Sequence, residues 1–217
     1  MVKTYRAYTI GEEICNTVTH IFGMLFSVSA LCILVILSCF YADCWAIVSS
    51  SIFGASMLAV YTASSVYHAV QNPKAKIILK KFDHIAIYYL IAGSYTPFLL
   101  VPMRSALAWW IFGIIWALAV IGTLLKIFTS PSGTKWWSIG LYLLMGWLVI
   151  FVSGKLFASI SATAITFLAL GGIFYTVGVL FYVKKNWMYS HAIWHSFVLL
   201  GTIMHFFSIL FACVVRI

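Results

Sequence analysis

Near the C-terminal end of the chain His191 and His195 stand four residues apart, at the start of an apolar run that carries no charge before Arg216. On an α-helix, positions i and i+4 lie one turn apart with side chains leaning the same way, so both imidazoles can reach one metal ion. Other polar groups border apolar segments in Ser64-Ser65-Val66-Tyr67-His68 and in Asp83-His84. Three neutral imidazoles, from His68, His191 and His195, leave a fourth tetrahedral position for water, the arrangement of catalytic rather than structural zinc. A nearby carboxylate balances the ion's charge in a low-dielectric setting and can accept a proton from the bound water, whose pKa zinc lowers to about 7. In this reading Asp83 is the general base and Ser64 an orienting hydroxyl. Each residue also has a plainer reading: a histidine pair solvated by headgroups, an aspartate capping a helix, a serine bonded within its own helix.

The elements that must position these groups follow from composition. Of the 217 residues 64% are apolar and 8% charged, which marks an all-α, multi-spanning membrane protein forming a single integral membrane domain over 1–217. Apolar runs predict seven spans near 18–40, 45–69, 84–101, 107–127, 136–153, 159–183 and 192–215. The links between them, including the stretches 70–83 and 154–158 and the turn Ser130-Pro131-Ser132-Gly133, are short, so sequential helices run antiparallel. Glycines recur within the spans, Gly23, Gly54, Gly93, Gly113, Gly122, Gly146, Gly171, Gly172, Gly178 and Gly201, and read as places where helices approach closely. Pro97 should bend the third helix. Trp109, Trp110, Trp136, Trp137 and Trp187 fall at span ends, as interfacial anchors do.

The net charge of +9 does not indicate a nucleic-acid partner, because the basic residues punctuate apolar runs instead of lining a face. Lys3, Arg6, Lys74, Lys76, Lys80, Lys81, Lys126, Lys135, Lys184 and Lys185 fall on one side of the predicted topology, against Arg104, Lys155 and Arg216 on the other. The positive-inside rule therefore puts the N-terminus in the cytoplasm and the C-terminus outside. Polar residues and two glutamates separate Lys3 and Arg6 from the first apolar run, which is not the layout expected of a cleavable signal. The five cysteines show neither a disulfide framework nor a thiolate zinc pattern.

This topology collects Ser64, His68, Asp83, His191 and His195 at the cytoplasmic end of the bundle, and ionisable groups gathered inside a membrane mark a functional site by default. His84, adjacent to Asp83, points about 100° away from it on a helix. His205 comes 14 residues after His191, roughly 21 Å along the helix axis, too far for the same ion and in reach of some other polar group deep in the bundle. Glu12, Glu13, Asn16 and His20 open the first span. Glu13, Asn16 and His20 read either as a layer supporting the metal or a substrate gate, or as a helix cap followed by an interfacial stripe.

Taken together, Glu13-x2-Asn16-x3-His20-x2-Gly23, Ser64-x3-His68, Asp83-His84 leading to Gly93-Ser94-Tyr95-Thr96-Pro97-Phe98, Met145-Gly146-Trp147, and His191-x3-His195 with His205 beyond resemble the hemolysin III proteins. These are the bacterial branch of the progestin and adipoQ receptor family and relatives of the alkaline ceramidases. The resemblance covers almost the whole chain. It implies a seven-helix bundle with a cytoplasmic N-terminus, zinc on His68, His191 and His195, and Asp83 and Ser64 beside the metal-bound water.

Three functions follow as expectations. The first is zinc-dependent hydrolysis of a lipid amide, with a ceramide-like lipid as substrate or a free fatty acid as ligand, entering sideways from the inner leaflet. The second is a pore-forming cytolysin, as the family name suggests, although no span alternates polar residues along its length. The third is a lipid-sensing receptor in which zinc only ties helices together.

Overall fold

The computed structural model describes residues 8–129, 136–184 and 186–215. The expected turn at Ser130-Pro131-Ser132-Gly133 and the charges Lys3, Arg6, Lys135, Lys185 and Arg216 lie outside the described residues. Among those described there are seven helices and no strand: α1 (Ile10–Tyr41), α2 (Cys44–Ala69), α3 (Pro73–Leu100), α4 (Ala106–Phe128), α5 (Trp136–Ser159), α6 (Ala162–Val183) and α7 (Ser190–Val214). All except α3 are long and apolar enough to cross a membrane.

The helix starts are set by local chemistry that hydropathy does not register. Thr9 caps α1 by accepting from the Glu12 N–H, and Glu12 answers at the Thr9 N–H, a reciprocal capping box. The helix therefore begins at Ile10, about two turns before the expected boundary near 18, and takes Glu12, Glu13, Asn16 and His20 into its first turns. Asn72 accepts from the N–H groups of Lys74 and Ala75, and Pro73 follows at the first helical position. Thus α3 starts eleven residues before the expected 84, and most of the predicted loop 70–83 is helix. The expected break at 154–158 is helical too, continuing α5 to Ser159.

In α1 the inward stripe is Glu12, Asn16, His20, Gly23, Ser27, Ala30, Leu34 and Ser38, spaced three or four apart, while Ile14, Phe22, Leu25 and Ile36 face outward. This inverts the pattern of a water-soluble helix: small and polar residues mediate packing, and apolar ones meet lipid. Among the glycines, Gly23 lets the ring of Tyr61 lie against the backbone, since an added Cβ would stand 2.3 Å from it. Gly113, Gly146 and Gly172 have open space instead, which corrects their reading as points of close approach.

Helices α1 to α4 pack in sequence, α6 packs on α7, and α7 returns against α1. Helix α5 rests on α3 and α4 but not closely on its chain neighbour α6. Its path is broken, with an α-helix over Trp136–Trp147, a 3-10 stretch over Leu148–Val152 and a last α-turn over Ser153–Ser159. The Tyr95 hydroxyl holds the break, donating to the Gly146 carbonyl and accepting from the Val149 N–H, each at 2.8 Å. A main-chain donor and acceptor that the irregular turn leaves unpaired are thereby satisfied. All five cysteines are free.

Candidate metal centre

The starts of α1 and α7, the end of α2 and the Asp83 turn of α3 meet at one end of the bundle. His68 comes from the last turn of α2, and His191 and His195 from the first turns of α7. One nitrogen of each lies within 4.8 Å of the others, and the ring centroids are 5.2 Å (His68 to His191), 5.1 Å (His68 to His195) and 4.3 Å (His191 to His195) apart. Three imidazole nitrogens so close together can hold a single ion, to which zinc bonds of about 2.0–2.1 Å are usual.

The hydrogen bonds indicate which nitrogens such an ion would take. The Nε2 atoms of His68 and His195 are buried and meet no partner. Their other nitrogens are held: Nδ1 of His68 lies 2.6 Å from Glu13 Oε2, and Nδ1 of His195 lies 3.5 Å from Thr19 Oγ1. One nitrogen oriented by an oxygen while the other stands free toward its neighbours is the arrangement metal-bound imidazoles adopt, and it fixes the tautomer. The residues therefore fit a divalent first-row ion; the donor set suits zinc without excluding others.

Asp83 is buried beside Ser64 and Tyr67, and it stands outside the three-histidine set. The Ser64 hydroxyl, 1% exposed, faces the carboxylate but meets no partner in hydrogen-bond geometry. His84 has Nε2 3.2 Å from the Tyr182 hydroxyl and Nδ1 beside the Lys80 carbonyl. His205 lies deep on α7, away from the ion ligands.

The first two turns of α1 do more than cap. Glu12 supplies the cap and also accepts the Tyr189 N–H at 3.0 Å, which matters because Tyr189 precedes α7 at φ 57°, in left-handed backbone, with no side-chain cap of its own. Glu13 reaches His68 and is held on its other oxygen by Lys76, from the polar extension of α3. The Asn16 amide nitrogen stands 3.4 Å from His68 Nδ1, and the His20 ring meets the His195 ring edge-on at 3.9 Å with both nitrogens unpaired. Tyr8, just before α1, stacks on His191 at 5.1 Å. Burial, then the neighbouring tyrosines and glutamates, raises its phenol far above the ordinary range, so it stays neutral.

Lys76 and Tyr8 escaped the sequence reading. Lys76 looked like a topology marker, and its spacing from Glu13 carries no signal until α3 is known to begin at Pro73.

From this centre a cavity of about 530 Å³ runs between α3, α5, α6 and α7. His20, Asp83, Tyr142 and Tyr182 line its polar part, and Leu90, Phe98, Ile150, Leu156 and Leu168 are among its apolar walls.

A family model described as "Haemolysin-III related" matches residues 8–206. A "Hemolysin-3 homolog" of Bacillus subtilis (strain 168) is 47% identical over 207 residues, covering 95% of this chain and 97% of the relative. "Hemolysin-3" of Bacillus cereus is 40% identical over 202 residues, covering 93% and 92%. The human "Monocyte to macrophage differentiation factor" is 30% identical over 212 residues, covering 93% and 84%.

Proposed function

Because the chain belongs to the haemolysin-III-related family, we propose that it is a metal-dependent hydrolase of a membrane lipid amide of the ceramide kind, with zinc held by His68, His191 and His195. The observation that carries this reading is the pair of buried, unpartnered Nε2 atoms on His68 and His195, each on a ring whose other nitrogen faces an oxygen. When bound, zinc supplies a Lewis acid that polarises a carbonyl and acidifies water.

The protein's own groups do the rest. Asp83 takes a proton in the low-dielectric end of the bundle, where, among the described residues, its carboxylate makes no ion pair within 4 Å. Ser64, whose hydroxyl meets no partner in hydrogen-bond geometry among the described residues, orients the reacting group. Glu13 and Thr19 hold the rings. The apolar cavity takes the acyl tail and keeps water from it, and the loose seam between α5 and α6 admits the tail sideways. The site faces the cytoplasm if the chain follows the positive-inside rule, and the lipid then comes from the inner leaflet.

The name of the Bacillus relatives favours a second reading, a cytolysin. The apolar walls of the cavity suit a lipid tail better than a column of water and ions. Liposomes carrying the protein separate the two: a cytolysin leaks dye whether or not His191 and His195 are intact, and a hydrolase does not.

The direct test is release of fatty acid from a panel of ceramide-like lipids by the purified, zinc-loaded protein. Asp83→Asn should lower the rate by about 10²- to 10⁴-fold, the range for loss of a proton-transfer group, while zinc content stays unchanged. No metal-dependent release from a broad panel would overturn the assignment.

A further inference from the structure

His205 is an imidazole placed deep along an apolar cavity. It lines the cavity about ten residues along α7 from His195, roughly 15 Å farther from the metal end. Neither ring nitrogen makes a hydrogen bond of good geometry. The chain nevertheless makes room for this ring: a Cβ at Gly171 would stand 2.2 Å from His205 Cδ2, so α6 gives up a side chain where the imidazole lies. A titratable residue seated in that way inside a membrane protein calls for a partner.

The other hydroxyls along the cavity's apolar part are already engaged. Ser94 donates to the Ile91 carbonyl, Ser153 to Ile150 and Thr176 to Gly172; Tyr95 clamps α5, and the Tyr175 hydroxyl lies 2.8 Å from Thr202 Oγ1. His205 differs from them in that neither of its nitrogens makes a hydrogen bond of good geometry. The Leu168 carbonyl beside one of its nitrogens sets the tautomer, because only an N–H is stable against a carbonyl oxygen. The other nitrogen then carries a lone pair, and its partner has to be a donor.

We propose that His205 is a second recognition point for the lipid tail, accepting a hydrogen bond from a hydroxyl carried partway along an acyl chain. The preferred ligand is therefore a hydroxylated acyl lipid, with its head at the histidine cluster and its tail hydroxyl on His205. A keto group at the same carbon has no proton to give and does not satisfy the site. The inference rests on the cavity being the seat of a lipid tail, as proposed above, and on no step of the hydrolysis.

Binding to the full-length, zinc-loaded protein in nanodiscs tests it, with three probes: stearic acid, a stearic acid bearing a mid-chain hydroxyl, and its keto counterpart. The hydroxy acid should bind about tenfold tighter than the other two, the worth of one well-placed buried hydrogen bond. His205→Leu should erase that preference while leaving zinc content and stearic acid binding intact, and His205→Gln, which keeps an acceptor, should retain part of it. Equal binding of all three by the unaltered protein overturns the role of His205 but not the lipid cavity. Absence of binding by any of them overturns both.

Discussion

Glu12 closes the capping box with Thr9 and takes the Tyr189 N–H, whereas Glu13, about 100° farther round the helix, reaches His68 and Lys76. A carboxylate on the far nitrogen of a metal-bound imidazole raises its basicity and fixes its orientation, and losing it typically costs 10- to 100-fold in metal affinity. Glu13→Gln should therefore weaken zinc binding by about that factor in a chelator competition, and Lys76→Met by less, since it removes only the group that steadies Glu13. An unchanged zinc affinity in Glu13→Gln would reduce the contact to packing. In the sequence His191 and His195 announced themselves by spacing, and His68 and Asp83 by being polar at the ends of apolar runs. Glu13 stayed undecided between cap and support, because two adjacent acids look alike until the helix start is known. Lys76 was hidden by its charge, which served a topology argument equally well.

At the level of elements, the number and order of the helices were legible because an apolar run of about 20 residues has few alternatives. The starts of α1 and α3 were not: hydropathy ends where polarity begins, but the backbone continues until Thr9 and the Asn72-Pro73 pair stop it. Those extra turns carry Glu13 and Lys76, so an error of two or three turns concealed part of the site. The break in α5 had no signature of its own. Gly146 read as a packing glycine, and the phenol that pins the break comes from another helix. Tyr95→Phe removes the partner of both the Gly146 carbonyl and the Val149 N–H, and each unpaired backbone group costs about 1–3 kcal/mol. Faster hydrogen exchange confined to Leu148–Val152, with α3 and α4 unaffected, is the expected result; protection equal to that of the unaltered protein would show that the break is held by packing alone.

Across the whole molecule the proposed metal centre would join helices that are otherwise weakly tied. Helices α2 and α7 do not pack closely, and away from the histidines their described hydrogen bonds run through the Tyr61 hydroxyl to Thr202 at 2.7 Å and, more loosely, to the Val198 carbonyl. The proposed ion, shared by His68 on one helix and His191 and His195 on the other, would close that gap and would bind only when both helices are in place. Linkage then requires the folded state to gain about 2.7 kcal/mol at a free zinc concentration a hundred times the dissociation constant. Stripping zinc with a chelator should lower the thermal midpoint of the purified protein, and zinc, restored in excess, should recover it. In His191→Ala the midpoint should start low and no longer respond to chelator. Asp83→Asn separates scaffold from chemistry, because Asp83 stands outside the ligand set: it should keep the zinc-dependent midpoint and lose hydrolysis. Should Asp83→Asn instead lose the zinc response together with activity, Asp83 would belong among the ligands, and the division of labour between ion and base proposed above would be wrong.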